Sequence, residues 1–316
     1  PEDIPAYDEA FAAYWRHVDG TTLVEVPDEV VLAVDDPDAP DDEGDGTGEG
    51  DDVLSVRYSA TEILAHKDFA EYTLEELDEA QRLMQRMRLA GAPRRSRRRV
   101  ASRRRRGRPD LRRTVRGALR TGGEPLRRVH TEPGERPRRL VLLLDVSGSM
   151  EAYARALLRF VHAAVVGRGR VEAFTLGTRL TRLTRELSDR DPDAAIRKAT
   201  GATPDWSGGT RLGDTLRAFN DEWGQRGMAR GAIVVILSDG WDRGEPEVMA
   251  EQMARLSRVA HRVVWVNPLK ASEGYAPLAR GMAAALPFVD DFIEGHSLDS
   301  LERLAQVIIE GREAVR

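Results

Sequence analysis

Three short segments of the chain carry side chains that could share one chemistry. Asp145-Val-Ser147-Gly-Ser149 sets a carboxylate and two hydroxyls at intervals of two, so an extended turn projects all three to one side. Ser207-Gly-Gly-Thr210 offers another hydroxyl behind glycines that let backbone approach closely. Ser238-Asp239-Gly240 adds a second carboxylate. Asp145, Ser147, Ser149, Thr210 and Asp239 together make an oxygen-only donor set with two negative charges and no His or Cys. Such a set suits a hard cation, Mg²⁺ or Mn²⁺. Mg²⁺ keeps several waters, so the two carboxylates can act through water and leave one position for a carboxylate from outside. That chemistry is docking.

For the three segments to meet, each must follow a strand of one sheet. Residues 140–144 and 232–237 are apolar runs of strand length, and 171–176, 180–183, 263–266 and 288–293 also read as strands. Between them lie helical patterns at 153–166, 210–223, 246–258, 277–285 and 298–310, with Asp191-Pro192 as an N-cap followed by Pro at the first helical position. This alternation predicts an α/β fold, a doubly wound, mostly parallel sheet with helices on both faces. Ligands in such folds bind beyond the carboxyl ends of the strands.

Upstream, the texture differs. Residues 1–57 read as a short helix and an acidic linker, with twelve acids and no Lys or Arg in 28–52. Residues 58–137 read as a helical and arginine-rich arm, and the α/β domain occupies 138–316. The stretch 58–91 looks helical, with Thr73-Leu-Glu-Glu76 as a capping box, a stripe of Leu74, Leu77, Met84 and Met87, and Gly91 as a stop. From Arg94 to Arg139 there are nineteen arginines against four acids, a local charge of +15 inside a chain of net charge −5. Arg112, Arg113, Arg116 and Arg120 beside Leu111, Val115 and Leu119 suggest an amphipathic helix with a basic face. Three partners for this segment stay open: a protein, the chain's own acidic block, or nucleic acid bound between Arg94 and Arg120. The nucleic-acid alternative makes the α/β domain a scaffold for an arginine-rich binding arm. It lacks interleaved aromatics for base stacking.

Each candidate also has a plainer role. Ser147, Ser149 and Thr210 can cap helices, and Asp239 can be a turn residue. Trp206 and Trp241 can be core, or aromatic anchors at the rim of a docking face. Arg211 and Arg243 can be solvated, or clamp a partner carboxylate. Asp242 is the one nearby general base for a hydrolytic alternative. Other chemistry is disfavoured. Zero Cys excludes a disulfide scaffold and a Cys nucleophile, no phosphate-binding G-x-x-x-x-G-K-[ST] is present, and the six histidines never pair at ligand spacing. No apolar run is long enough to span a bilayer and no basic-apolar leader opens the chain, so a cytoplasmic protein is expected.

Asp145-x-Ser147-x-Ser149, Thr210 and Ser238-Asp239-Gly240 resemble the metal-ion-dependent adhesion site (MIDAS) of von Willebrand factor A (VWA) domains. The resemblance covers about residues 138–316. Tyr58-Ser-Ala, His66-Lys-Asp-Phe69, the arginine-rich stretch, Arg120-Thr-Gly-Gly123, Pro204-Asp-Trp-Ser-Gly-Gly-Thr210, Ser238-Asp-Gly-Trp-Asp242 and Val266-Asn-Pro-Leu269 resemble the CoxE-like family. That resemblance implies a non-enzymatic, chaperone-like adaptor. It implies work with a MoxR-type AAA+ ATPase in maturation of a molybdenum carbon monoxide dehydrogenase or a related metalloenzyme.

Overall fold

The computed structural model describes residues 60–87, 92–102, 107–122, 127–203, 206, 209–271 and 279–310. The expected helix in 1–20 and the acidic stretch 28–52 lie outside them, as do Tyr58, Gly91 and the Pro204, Asp205, Ser207 and Gly208 positions of the glycine-rich segment.

Strand β4 (Leu140–Asp145) is buried along its whole length. Its side chains alternate between two cores, Leu140, Leu142 and Leu144 in one, Val141 and Leu143 in the other. A strand apolar on both faces needs cover on both, and its neighbours supply it. The sheet runs β6 (Leu180–Arg182), β5 (Val171–Leu176), β4, β7 (Ile233–Leu237), β8 (Arg262–Asn267) and β9 (Asp291–Glu294). All pairings are parallel except β5 with β6. The first core takes residues from α2 (Leu74–Arg86), α4 (Glu151–Gly167), α5 (Pro192–Ala202) and α9 (Leu298–Glu310). The second takes them from α6 (Leu212–Phe219), α7 (Pro246–Val259) and α8 (Arg280–Ala285). This is the expected α/β class. The helix expected over 210–223 is shorter as an α-helix and continues as a π-type turn, Asn220–Met228.

The region before β4 differs from its sequence reading in three ways. Residues 58–91 are not one helix: α1 (Ala60–His66) and α2 are separated by a 3₁₀ turn that Asp68 caps. The Thr73 capping box forms as expected, but Leu74 sits on the open face, 69% exposed, while Leu77, Ala80 and Met84 enter the core. Third, the arginine-rich stretch holds strands as well as α3 (Leu111–Ala118). Strands β1 (Pro93–Ala101) and β2 (Arg108–Pro109) flank β3 (His130–Pro137) in a small antiparallel sheet. The β1–β3 register shifts between Arg95 and Arg99, opposite Pro133, where a missing N–H is tolerated. Leu111 and Val115 on α3, and Leu119 just after it, remain exposed.

No helix among the described residues is long and apolar enough to cross a membrane.

Candidate metal centre

Each expected ligand segment leaves the carboxyl end of a strand or enters a helix there. Asp145 is the last residue of β4, and the chain then passes through Ser147 into a 3₁₀ turn, Gly148–Met150, that starts α4. Thr210 lies two residues before α6, and Asp239 follows β7 by two. Parallel neighbours β4 and β7 end side by side, so the first and third loops are adjacent by construction.

The side-chain oxygens meet. Asp145 Oδ1 accepts from the Ser147 N–H at 2.9 Å and the Thr210 hydroxyl at 3.1 Å, and Oδ2 accepts from the Ser238 hydroxyl at 2.6 Å. The Ser147 and Ser149 hydroxyls are 3.1 Å apart. Asp239 Oδ1 accepts from the Trp241 N–H at 2.9 Å. Asp145, Ser147, Thr210 and Asp239 are buried and Ser149 is half-exposed, so the cluster opens on the Ser149 side.

Burial first, and then the charge of Asp239, push the Asp145 carboxyl up to about 7 against the three hydrogen bonds that lower it. Burial raises Asp239 too. Among the described residues, no cationic side chain is among the influences on either group. Two buried acids without a counter-charge are costly unless a cation or protons join them. That imbalance, with hydroxyls lining the mouth, fits a divalent cation. Among the described residues no cluster of three or more His, Asp or Glu forms a metal-binding group, so any cation here depends on the hydroxyl oxygens.

Four further residues support these loops: Ser238, Gly240 and Asn267, which lie in segments singled out above, and Trp265, which does not. Ser238 orients Asp145, and its own hydroxyl accepts from the Gly240 N–H at 3.0 Å. Trp265 Nε1 donates to the Ser238 carbonyl at 2.8 Å, and Asn267 Nδ2 donates to the Asp239 carbonyl at 3.0 Å. For Trp265, a Trp in an otherwise apolar strand is the signal that sequence reading passed over. Gly240 has φ +81°, and a Cβ there would meet the Met282 Cβ at 2.7 Å, so this loop requires glycine.

The candidate partner residues fall in different places. Asp242 turns inward: Oδ1 accepts from the N–H groups of Leu212 and Gly244 at 2.9 and 2.8 Å, and Oδ2 from Gly213 at 3.1 Å. Its oxygens are committed to tying the third loop to the start of α6. Arg243 is exposed and lies across Gly209, where a Cβ would meet its Nη1 at 2.8 Å. Arg211 is exposed, 3.9 Å from Asp214. Trp206 is half-buried against the first core, and Trp241 is half-buried.

A mostly parallel sheet of this order, covered on both faces, is the fold of a VWA domain. The chain belongs to the family described as VWA domain containing CoxE-like protein, whose model matches residues 82–301. Among solved structures, the chain is similar to von Willebrand factor type A from Catenulispora acidiphila, at 14% identity and TM-score 0.39, covering 56% of this chain and 43% of that one. It is also similar to proximal thread matrix protein 1 from the mussel byssus, solved with a zinc-occupied MIDAS motif, at 12% identity and TM-score 0.35, covering 54% of this chain and 47% of that one. A third is the SpRpn10 VWA domain, at 13% identity and TM-score 0.35, covering 56% of this chain and 99% of that one. The chain thus spans about half the length of the mussel protein. No curated protein sequence matches it.

Proposed function

We propose that this chain is a non-enzymatic, cytoplasmic adaptor whose domain at 138–316 docks an acidic side chain of a protein partner through a divalent cation, Mg²⁺ or Mn²⁺. Asp145, Ser147, Ser149, Thr210 and Asp239 would hold the cation, which when bound supplies a Lewis-acidic position for the partner's carboxylate. The observation that carries this reading is the meeting of two buried, uncompensated carboxylates with three hydroxyls at the end of β4 and β7. Asp145 is fixed by three donors, so its oxygens need not reorganise when the site fills. Asp242 fastens two of the loops together. The exposed Arg211 and Arg243, with the half-buried Trp241 and Trp206, would meet the partner surface around the acid.

Membership of the CoxE-like family supports a finer assignment: a MoxR-type AAA+ ATPase as partner and a molybdenum carbon monoxide dehydrogenase or related metalloenzyme as client. In this reading ATP hydrolysis belongs to the partner. Co-purification from cells expressing that ATPase tests it, with Mg²⁺ and with chelator, for the wild type and Asp145→Ala. The ATPase is retained only by the wild type in Mg²⁺; equal retention in all arms contradicts the reading.

A further inference from the structure

At the opposite end of the same sheet lies the reverse imbalance. Strand β3 runs into β4, and the joint is lined by guanidinium groups that belong to separate segments. Arg94 and Arg136 face each other across β1 and β3, a like-charge pair in register. Arg138 Nη1 donates to the Gly231 carbonyl at 3.2 Å, and Arg94 Nη1 lies on the same glycine, each within 4 Å of where its Cβ would stand. Arg139 Nη1 reaches the Gly227 and Met228 carbonyls at 3.1 and 3.2 Å. Arg168 Nη2 donates to the Arg138 carbonyl. Arg170 follows closely, and its carbonyl accepts from the Leu140 N–H at 3.2 Å. Arg170 has φ +73°, the one non-glycine residue among those described in the left-handed region. That backbone costs energy and persists because its surroundings hold it.

Among the described residues, none of Arg94, Arg136, Arg138, Arg139, Arg168 and Arg170 has a carboxylate within ion-pair distance. Arg138 Nε and Arg168 Nε and Nη1 are buried without a hydrogen-bond partner. Burial and neighbouring arginines lower three of them: Arg138 by burial and then by Arg94, Arg168 down to about 10 by burial and then by Arg170, and Arg170 by burial and then by Arg139, Arg136 and Arg94. Surface arginines normally splay into water to avoid each other. Here backbone carbonyls hold Arg138, Arg139 and Arg168 in place beside the others, as they would to meet an anion.

The geometry points to an oxyanion site at the amino end of the central strands, formed by these six arginines, that takes a phosphate-bearing ligand. Guanidinium forks match phosphate and carboxylate oxygens alike. The density of positive charge favours the compact, multiply charged phosphate group. Free pyrophosphate and a nucleic-acid backbone present the same group, and the two are separated by experiment. The site goes beyond the metal-dependent docking proposed above and does not depend on it.

Inorganic pyrophosphate is titrated into the full chain by calorimetry, with NaCl at matched ionic strength and poly-glutamate as comparisons. A 20-nucleotide RNA is the second phosphate source. Saturable pyrophosphate binding, weakened at least tenfold in Arg94→Gln/Arg136→Gln and unchanged in Asp145→Ala, supports the site. Those two arginines are exposed, so the variant leaves the buried bonds of Arg138 and Arg168 in place. RNA binding that pyrophosphate displaces assigns the same site to a nucleic-acid backbone. Heat no larger than that of NaCl, equal binding of poly-glutamate, or affinity indifferent to the Arg94→Gln/Arg136→Gln change would each overturn it.

Discussion

The two ends of the central sheet make opposite use of the same scaffold. At the carboxyl end, two carboxylates are sunk among hydroxyl and amide donors, and every oxygen of Asp145 is engaged. At the amino end, six guanidinium groups have no carboxylate within ion-pair distance among the described residues, and backbone carbonyls pin three of them, Arg138, Arg139 and Arg168. β4 joins them: its last residue is Asp145, and the two residues before its first are Arg138 and Arg139. A fold selected for stability alone would place opposite charges together, not at opposite ends of a buried strand. Retaining both imbalances costs stability until each meets its counter-charge. That pattern marks sites whose purpose lies outside the chain.

The comparison can be broken at either end, and the largest effect is expected at the metal. Asp145→Ala should remove divalent-dependent partner retention altogether and abolish any Mg²⁺-induced rise in melting temperature. Pyrophosphate binding should persist, and joint loss of both would mean that the ends are not independent. Next comes the strand that joins them. Leu143→Ala empties a fully buried position and should cost about 2–5 kcal/mol in urea unfolding. A cost under about 1 kcal/mol would show that β4 is not the shared core.

Asp242→Ala leaves three backbone N–H groups without their acceptor and should cost about 1–3 kcal/mol. Mg²⁺ affinity should fall on the order of tenfold, as for outer groups that orient a metal site. Unchanged Mg²⁺ affinity would confine Asp242 to stability. Asp239→Asn separates charge from shape: the metal-free protein should melt higher, by about 2–4 °C for each kcal/mol of relieved repulsion, while added Mg²⁺ has no further effect. A lower melting point without metal would contradict the idea that the paired carboxylates repel. The smallest change is Leu111→Ser on α3, which is 73% exposed and should move stability by no more than about 0.5 kcal/mol.

The sequence made the carboxyl end legible because its information is local. Spacing by two in Asp145-x-Ser147-x-Ser149 states which side chains point together, and apolar runs before Asp145 and Ser238 state which strands carry them. The amino end was hidden for the converse reason. β1 reads Pro-Arg-Arg-Ser-Arg-Arg-Arg-Val-Ala, with no alternation to mark a strand, because nearly all its residues are exposed. β3 contains Pro133, Gly134 and Pro137, which read as loop, and pairs across a bulge. Which arginines converge depends on contacts between residues far apart in the chain, such as Arg138 with Gly231. Likewise, nothing local distinguished Asp242 as a clasp from Asp242 as a surface acid. Leu74 shows the limit of periodicity: it lies on the apolar stripe yet at the first turn, beyond the reach of the core.

Crystals grown with saturating Mn²⁺ and recorded at the manganese absorption edge test the central claim most directly. The account predicts one anomalous peak bordered by the hydroxyls of Ser147, Ser149 and Thr210, with the carboxylates of Asp145 and Asp239 beside it, and its loss in Asp239→Asn. No peak in that pocket, or manganese bound only elsewhere on the chain, would contradict it.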